Sequence, residues 1–330
     1  MLRSMYMIRQ VSLIIPSYND NSKLIKLLTS IPNWEIIPSE IIVVDSSRSE
    51  PLIPEDFLAF TQKLDINFLV IHKKNLYPGH ARNIGINNAE SDLVAFLDTS
   101  TYPTKKWLSA GLDKINNQKS DGVWGNTYYK ADKLISKTFR ACTYGAKPIR
   151  TFPGSILKKN IFHRCGLFIE TARAGEDGDW MSRADLQNIN ISTPEEFLKY
   201  NKLNHESLSS LIKKWFRNYI YGAKLPYIRA HKDYYYYVIS FIAVLFAFNW
   251  NRVFAAWNEE SIFYIPSITK ISLLFIIIIY IFIRGVYLPR KKGIEFSFIF
   301  PINFIFIAFL SGFLDLTKAL AFAYSRLKRG

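Results

Sequence analysis

The sequence predicts an α/β fold with a mostly parallel central sheet, followed by C-terminal transmembrane helices. Up to about residue 230, short apolar runs alternate with amphipathic stretches, as strands and crossover helices do in a wound sheet. From there to residue 330 the chain instead holds long apolar runs with few charges. The 330 residues are enough for one large domain or two moderate ones.

Four short apolar runs are predicted as strands, at residues 11–16, 40–45, 66–71 and 93–97. Residues 22–31 carry leucine and isoleucine at helical spacing, and residues 79–89 follow a Pro-Gly turn, so both stretches are predicted as helices. Beyond the fourth strand the alternation is less regular. The remaining predictions there are a strand at 122–129 and helices at 107–115, 155–164 and 176–186.

The formal net charge of +15 favours an anionic partner, such as nucleic acid, acidic lipid headgroups or a phosphorylated substrate. Long apolar runs in the same chain favour the membrane surface over nucleic acid. Cys142 and Cys165 have neither metal-ligand spacing nor the pattern of a disulfide framework, so we interpret both as small apolar residues. The amino terminus lacks an apolar core long enough for a secretory signal, which predicts that the soluble part faces the cytoplasm.

Apolar segments near the C-terminus predict a multi-pass protein of the inner (cytoplasmic) membrane, with two to four membrane segments. They occupy residues 234–250, 264–283, 296–314 and 317–324. Basic residues at 231–232 and 290–292 favour a cytoplasmic position for both ends of a hairpin made by the first two. A full third span would put the basic C-terminal residues outside. The stretch 296–324 therefore turns back, lies partly in the interface or breaks the rule.

Residues 207–224 combine an apolar stripe that contains Trp215 with a basic face that contains Lys213. Such a helix either packs on the soluble domain or lies on the membrane, and its position just before the first apolar span favours the membrane surface. The predicted domains are a soluble cytoplasmic domain at 1–206, an amphipathic helix and linker at 207–232, and a membrane domain at 233–330.

Polar residues follow three of the predicted strands. Asp45 ends the second strand, Asp98 follows the fourth, and Ser17-Tyr18-Asn19 follows the first. The carboxyl ends of parallel strands share one edge of a sheet, so these residues are expected to meet where α/β sheets bind ligands. Taken alone, Asp98 is equally suited to capping a helix that begins near residue 104.

Six segments in order resemble the family 2 inverting glycosyltransferases of the membrane-anchored bacterial type, which have the nucleotide-sugar-binding GT-A fold. Five of them read V-S-L-I-I-P-S-Y-N-D, E-I-I-V-V-D-S-S, G-H-A-R-N-I-G-I, L-V-A-F-L-D-T-S and G-E-D-G-D-W-M-S-R-A, and the sixth is a basic segment around Tyr221-Gly222. Each is weak alone, but together their order and spacing cover residues 11 to about 225.

The resemblance implies a binding site for a nucleotide-sugar donor. Its residues would be Pro16, Ser17, Tyr18, Asn19, Asp45, Arg82, Asp98 and Ser100. In the family pattern the loop after the first strand walls the nucleoside pocket, Asp45 accepts hydrogen bonds from the base, and Arg82 faces the nucleotide or its diphosphate. Without the family pattern, Arg82 reads as an ordinary surface charge on a helix.

The resemblance also implies a divalent cofactor, Mg²⁺ or Mn²⁺. Asp98 matches the first acid of the family's D-x-D motif, which handles the ribose and the metal-bound diphosphate, but Ser100 replaces the second acid. A hydroxyl binds these ions less well than a carboxylate, so metal binding is weaker, uses other ligands or is absent. His205 matches a position where the family places a metal-contacting histidine. A capping or exposed histidine is the other interpretation.

Glu176 and Asp177 match the family's E-D pair, in which the aspartate is the catalytic base. The acceptor hydroxyl must lose its proton as it attacks the anomeric carbon, and a carboxylate within hydrogen-bond reach can take that proton. Asp179 is a second candidate, since G-E-D-G-D offers three acids within four positions. The alternative is a set of acids at a helix start, which the helix dipole favours.

The resulting hypothesis is inverting transfer of a sugar from a nucleotide donor to a lipid-linked glycan or polyprenyl phosphate, in surface polysaccharide or glycoconjugate synthesis. The partners would be the donor, the lipid-borne acceptor and the membrane, without nucleic acid; a homo-oligomer stays open. The alternative is an inactive, glycosyltransferase-like scaffold or binding subunit, which the missing second acid favours. A transporter is disfavoured because the apolar segments hold few charges apart from Lys270 and Asp315. The absence of a Q-x-x-R-W segment disfavours a processive synthase.

Overall fold

A mixed sheet of nine strands organises the part of the chain that the computed structural model describes, which is residues 7–225, 241–242 and 244–327. The strands are β1 Met7–Ser17, β2 Ile36–Asp45, β3 Asn67–His72, β4 Leu93–Phe96, β5 Thr101–Tyr102, β6 Gly122–Tyr129, β7 Ile149–Lys158, β8 Ile191–Ser192 and β9 Leu198–Tyr200. Their spatial order is β3-β2-β1-β4-β7-β6-β9-β5, and β8 pairs with β6.

The helices named here are α1 Asn21–Leu28, α2 Glu55–Leu64, α3 Pro78–Asn88, α4 Trp107–Gln118, α5 Leu134–Cys142, α6 Ile161–Cys165, α7 Glu176–Leu186, α8 Leu208–Gly222, α9 Trp250–Phe254, α10 Ile268–Ile281, α11 Leu288–Lys291, α12 Phe296–Ile299 and α13 Asn303–Leu327. A π-helical stretch, Phe282–Tyr287, joins α10 to α11. Short 3₁₀ turns lie at Ile31–Asn33 and Lys202–His205.

The four strands predicted first, β1 to β4, form the parallel half of the sheet. β1 lies between β2 and β4 and pairs in parallel with both, while β3 pairs in parallel with β2. Parallel pairing needs crossover connections, and α1, α2 and α3 supply helices between successive strands. The predicted α/β fold with a mostly parallel sheet is confirmed, and the carboxyl ends of these strands share one edge.

The sheet is buried on both faces, as its runs of Val and Ile require. Alternate residues of β1 enter different apolar clusters: Leu13 and Ile15 pack on the side of α1, α2 and α4, whereas Ile14 packs on the side of α3, α6 and α7. The second cluster includes the fully buried Trp180 and Phe152, which lie directly behind the strand-end edge.

The helix predicted at residues 155–164 is wrong. Residues 149–158 form β7, which is antiparallel to both β4 and β6, and only Ile161–Cys165 are helical. The reason is two-sided burial: Ile156 belongs to one apolar cluster and Leu157 to the other, so consecutive side chains point to opposite faces of the sheet. The strand at 122–129 and the helices at 107–115 and 176–186 are confirmed as β6, α4 and α7.

Two C-terminal helices are long and apolar enough to cross a membrane, Ile268–Lys291 and Asn303–Ser325. Of an 18-residue apolar stretch in each helix, 6% is buried in the first helix and 39% in the second. The first helix is therefore almost fully exposed in the structure. The apolar segments predicted at 296–314 and 317–324 are joined by α13, which runs unbroken through Asp315. The Asp315 carboxylate lies 2.9 Å from the Arg284 Nε. Most of the predicted span at 234–250 lies outside the described residues.

Gly85 tests the packing of α3 on the sheet. A Cβ at this position would lie 2.4 Å from the Ile14 Cγ2, so we expect Gly85→Ala to destabilise the protein by about 1–3 kcal/mol through overpacking. Gly178→Ala is the matched control, since its Cβ would meet nothing within 4 Å and alanine favours a helix. Thermal melting of the detergent-solubilised variants measures both. Equal Tm values for the two variants would contradict the packing described here.

Candidate active site

The strand-end edge is built by residues in register across three parallel strands. Ser17 at the end of β1 lies opposite Asp45 at the end of β2, and Asp45 lies opposite His72 at the end of β3. Asp98 follows β4 by two residues. The predicted convergence of strand-end polar groups on one edge is therefore present.

The carboxylate of Asp45 is turned into the protein. Its side chain is 1% exposed, and it accepts hydrogen bonds from the Ser47 backbone N–H at 3.0 Å and the Ser47 hydroxyl at 2.8 Å, while Nδ1 of His72 lies 3.0 Å away. The Ser47 Oγ in turn accepts the Asn19 backbone N–H at 2.6 Å. Asp45 thus ties the loops after β1 and β2 together, and its predicted contact with a base stays a prediction.

The loop after β1 offers one exposed ring beside buried polar atoms. Tyr18 is 60% exposed, whereas Ser17 is buried and its hydroxyl lacks a hydrogen-bond partner within the described part of the chain. Pro16 is half-buried, and Asn19 is held in the left-handed region with φ of 49°. These four predicted donor-binding residues thus form the end of β1 and the start of the loop that follows it, at the strand-end edge of the sheet.

Arg82 joins the two acidic motifs. Its guanidinium is 4% exposed and donates to the Glu176 Oε1 at 2.8 Å through one terminal nitrogen and to the Asp98 Oδ1 at 3.0 Å through the other. The rings of Phe152 and Phe168 pack near it, with centroids 5.5 and 5.6 Å from Cζ. Arg82 therefore holds both acids, and its predicted contact with the nucleotide or its diphosphate stays a prediction.

The pKa values of this cluster follow from burial and its three carboxylates. Burial alone lowers the pKa of Arg82, but Asp98, Glu176 and Asp177 outweigh that effect and hold the pKa above its usual range, so the guanidinium stays charged. Burial, and then the neighbouring charge of Asp177, raise the pKa of Glu176 to about 7, although Arg82 acts in the opposite direction.

The three acids of α7 have different partners. Gly175, with φ of 87°, turns the chain into the helix. Glu176 is committed to Arg82, and Asp179 is buried in an ion pair with the Arg183 Nε at 2.9 Å. Asp177 is half-buried and accepts the Gly178 backbone N–H at 2.8 Å. Of the three predicted catalytic acids, Asp177 is the one that reaches solvent without an ion pair to any residue that the structure describes.

Asn83, next to Arg82, fixes the segment that leads into α7. Its amide donates to the Phe168 carbonyl at 3.0 Å and accepts the Phe168 N–H at 2.9 Å. Phe168 is thereby held beside the Arg82 guanidinium. Two neighbouring side chains of the A-R-N motif therefore have different contacts. Arg82 binds the acids, and Asn83 binds the backbone of the segment that leads into α7.

Sequence reasoning missed an aromatic and basic layer beside the acids. Tyr129 and Tyr144 stack with centroids 3.8 Å apart, and the Lys214 ammonium lies 5.6 Å from the ring of Tyr144 and 5.5 Å from that of Tyr200. Burial raises the pKa of both stacked tyrosines, and Asp177 adds to this effect. These residues come from β6, β9, α8 and the segment after α5, so no local pattern connects them.

Asp98, the residue that matches the first acid of D-x-D, is followed by a tight turn. The Thr101 hydroxyl donates to the Asp98 carbonyl at 2.8 Å, and Thr101 then starts β5, which pairs with β9. The Asp98 side chain is 36% exposed, and Ser100 is half-buried. One face of this carboxylate is therefore open even though Arg82 holds the other.

These residues do not by themselves fit a resident divalent ion. Asp98 is a single carboxylate already shared with Arg82, Ser100 adds only a neutral hydroxyl, and His205 is exposed at the end of a 3₁₀ turn. Within the residues described, no three His, Cys, Asp or Glu side chains come together as a metal centre would require. Binding of Mg²⁺ or Mn²⁺ stays a prediction, and it would need additional ligands from the phosphates of a bound donor.

Comparison with known proteins agrees with this architecture. Residues 12–170 match the family model described as glycosyl transferase family 2. The chain carries a family 2 glycosyltransferase domain.

Among curated relatives, the Staphylococcus aureus poly(ribitol-phosphate) beta-N-acetylglucosaminyltransferase TarS is 22% identical over 215 residues, which are 60% of this chain and 37% of TarS. Glycosyltransferase AglE of Haloferax volcanii is 24% identical over 221 residues, 63% of this chain and 71% of AglE. The chain therefore corresponds to little more than a third of TarS but to most of AglE.

Among solved structures, the mannosyltransferase PcManGT of Pyrobaculum calidifontis, in complex with GDP-Man and Mn²⁺, matches with a TM-score of 0.54. The match covers 96% of this chain and 87% of PcManGT at 12% sequence identity. It supports the GT-A fold predicted from the sequence motifs.

Protonation of Glu176 is expected to make stability depend on pH. Because the folded-state pKa of about 7 lies above the ordinary 4.5, the folded state binds the proton more tightly, and this stabilisation is lost as pH rises through 7. We expect the Tm of the wild type to fall relative to that of Glu176→Gln between pH 5 and about 8. Glu170→Gln, at a half-exposed neighbour, is the control. A constant difference in Tm across this range would refute the assignment.

Proposed function

We propose that this chain transfers a sugar from a nucleotide donor to a lipid-linked glycan or polyprenyl phosphate, with inversion at the anomeric carbon. The observation that supports this most is the Arg82 bridge. It draws Asp98 of the donor motif and Glu176, neighbour of the proposed base, into one charge cluster at the strand-end edge. That edge is where α/β sheets bind nucleotides.

The chemistry assigns different tasks to the clustered acids. The acceptor oxygen attacks the anomeric carbon, the bond to the nucleoside diphosphate breaks, and its electrons leave with the diphosphate. Asp177 takes the acceptor's proton, since Glu176 and Asp179 are held in ion pairs. A single displacement inverts the configuration of that carbon.

The donor lies along the rim formed by the loops after β1 and β4. Tyr18 offers an exposed ring for the base, and the open face of Asp98 can accept ribose hydroxyls. Burial, and then the nearby ammonium groups of Lys214 and Lys23, lower the pKa of Lys202, which indicates positive potential next to this rim. Such a potential favours an anionic nucleotide.

The acceptor is proposed from the membrane helices and from the relatives. The TarS name specifies poly(ribitol-phosphate) as its acceptor, which is a phosphate-containing polymer. In this chain, two helices are long and apolar enough to cross a membrane, which supports a location of the sheet domain at the inner face of the cytoplasmic membrane. A lipid-borne acceptor would reach the cluster there.

A donor screen tests this function. Detergent-solubilised protein is incubated with UDP-, GDP- and dTDP-sugars, each with Mn²⁺ and with EDTA, and the released nucleoside diphosphate is measured. Release from one donor class is the expected result. Nucleotide binding without release from any donor would favour the scaffold alternative instead.

Asp177→Asn tests the catalytic base. Since an amide cannot take the proton, we expect kcat to fall by about 10²–10⁴-fold while the KM for the donor stays near its wild-type value. Asp179→Asn, two residues further along α7, is the matched control. Because Asp179 pairs with Arg183, that variant should lower the Tm and keep kcat. An Asp177→Asn variant with more than about a tenth of the wild-type rate would remove Asp177 from the role.

A further inference from the structure

The last helix, α13, lies against the catalytic domain along its whole length. Near its start, the Ile307 carbonyl is 3.4 Å from the Cys142 Sγ of α5. Near its end, the ring of Tyr324 lies 6.2 Å from that of Phe216 in α8. Between these points, Lys318 places its ammonium 5.4 Å from the ring of Trp215.

A shared apolar cluster holds these elements together. Its buried members are Phe139, Ala141, Cys142, Leu211, Ile294, Ile299, Ile307, Leu310 and Leu314. The cluster joins α5 of the sheet domain and the amphipathic helix α8 to α12 and α13. The predicted apolar stripe of α8 is thus partly covered by α13.

This packing is incompatible with α13 crossing a bilayer. A helix of 25 residues is about 37 Å long, enough to traverse the hydrocarbon core. If α13 crossed the core, α5 and α8 beside it would have to enter too. α8 carries the exposed Lys213 and Arg217, α5 carries the half-buried Lys137, and both helices continue into polar loops, which a hydrocarbon core excludes.

The face of α13 turned away from the domain is nevertheless apolar. Five side chains at spacings of three and four residues are between 43% and 67% exposed: Phe306, Phe309, Phe313, Leu316 and Leu320. We call them the outer stripe. It neighbours the apolar helix Ile268–Lys291, to which α13 is joined through the Arg284–Asp315 ion pair.

We propose that α13 lies in the plane of the membrane, with its outer stripe in one leaflet and its inner face on the catalytic domain. Lipid is the occupant because the stripe is continuous with the most exposed apolar helix and because the net charge of +15 suits an anionic surface. The sequence leaves three arrangements open for residues 296–324, and this proposal corresponds to the one in which the segment lies in the membrane interface.

This arrangement has a functional consequence that rests on the proposed function. Lys214 of α8 lies against Tyr144, and Asp177 contributes to the raised pKa of Tyr144. The acid cluster is therefore close to the helix layer formed by α8 and α13. An in-plane α13 holds Asp177 at headgroup level, where the reactive end of a lipid-borne acceptor lies.

Spin-label depth measurement tests the orientation, independently of any transfer activity. The native Cys142 and Cys165 are buried, and burial raises the pKa of the Cys142 thiol to about 11, so introduced cysteines label selectively. Phe306→Cys, Phe313→Cys and Leu320→Cys sample the outer stripe over about 21 Å of helix. Leu52→Cys and Leu186→Cys are exposed controls on the catalytic domain. The full-length protein is reconstituted in vesicles that contain anionic lipid, and oxygen and nickel accessibility give the depth of each label.

We expect the three stripe labels to lie at one depth, about 5–10 Å below the headgroups, and both controls to lie in water. A depth that changes steadily from 306 to 320 would mean that α13 crosses the membrane and would overturn the proposal. Labels outside lipid with spin–spin broadening between molecules would also overturn it, in favour of a second copy of the chain.

A second readout uses one position just before α13 and one at its last residue. Ile302→Cys and Leu327→Cys, both at exposed positions, are treated with a membrane-impermeant maleimide in sealed vesicles of one orientation. If α13 lies in the plane of the membrane, the maleimide reacts with both cysteines or with neither. Labelling of one end alone would refute the in-plane arrangement even if the stripe variants were poorly folded.

Discussion

The contact on which the site depends is the pair of hydrogen bonds that Arg82 makes to Glu176 and Asp98. These carboxylates come from segments 78 positions apart in the chain, and a buried guanidinium between them is what makes their proximity favourable. Without it, Glu176 would be a buried charge without a partner, a loss of about 3–5 kcal/mol when a buried pair is broken. The phenylalanine rings around Arg82 exclude water, so the attraction within the cluster is stronger than at an exposed surface.

The sequence predicted the residue types of the site better than their contacts. Asp98 and the Glu176-Asp177 pair stand out locally, since one follows a buried strand and the others begin a helix. Their common partner is less visible, because Arg82 and Glu176 are 94 positions apart and no pattern within a helix or strand relates them. Asp45 is predicted to accept hydrogen bonds from the base, and the sequence did not show that its carboxylate also accepts hydrogen bonds from Ser47 in the next turn.

The same physical argument explains the success and the failure in the fold. The first four strands were readable because each is a short, continuous apolar run in a parallel sheet buried on both faces. β7 was predicted wrongly because its last residues, S-I-L-K, are too few to separate periods of 2 and 3.6, and because its antiparallel partners are set by tertiary pairing. Likewise, hydropathy identified α13 as apolar but could not show that α5 and α8 cover one of its faces.

The Ser47 hydroxyl links the loops after β1 and β2, because it donates to Asp45 while accepting the Asn19 N–H. Every group in this relay belongs to the chain itself, so the two loops hold each other in place. A donor that settles against Tyr18 and Asn19 would therefore meet a rim whose shape is already set, so less of its binding energy goes into ordering the loop. A nucleotide would then bind to loops that already have their final shape, and any conformational change on binding would occur where the acceptor binds.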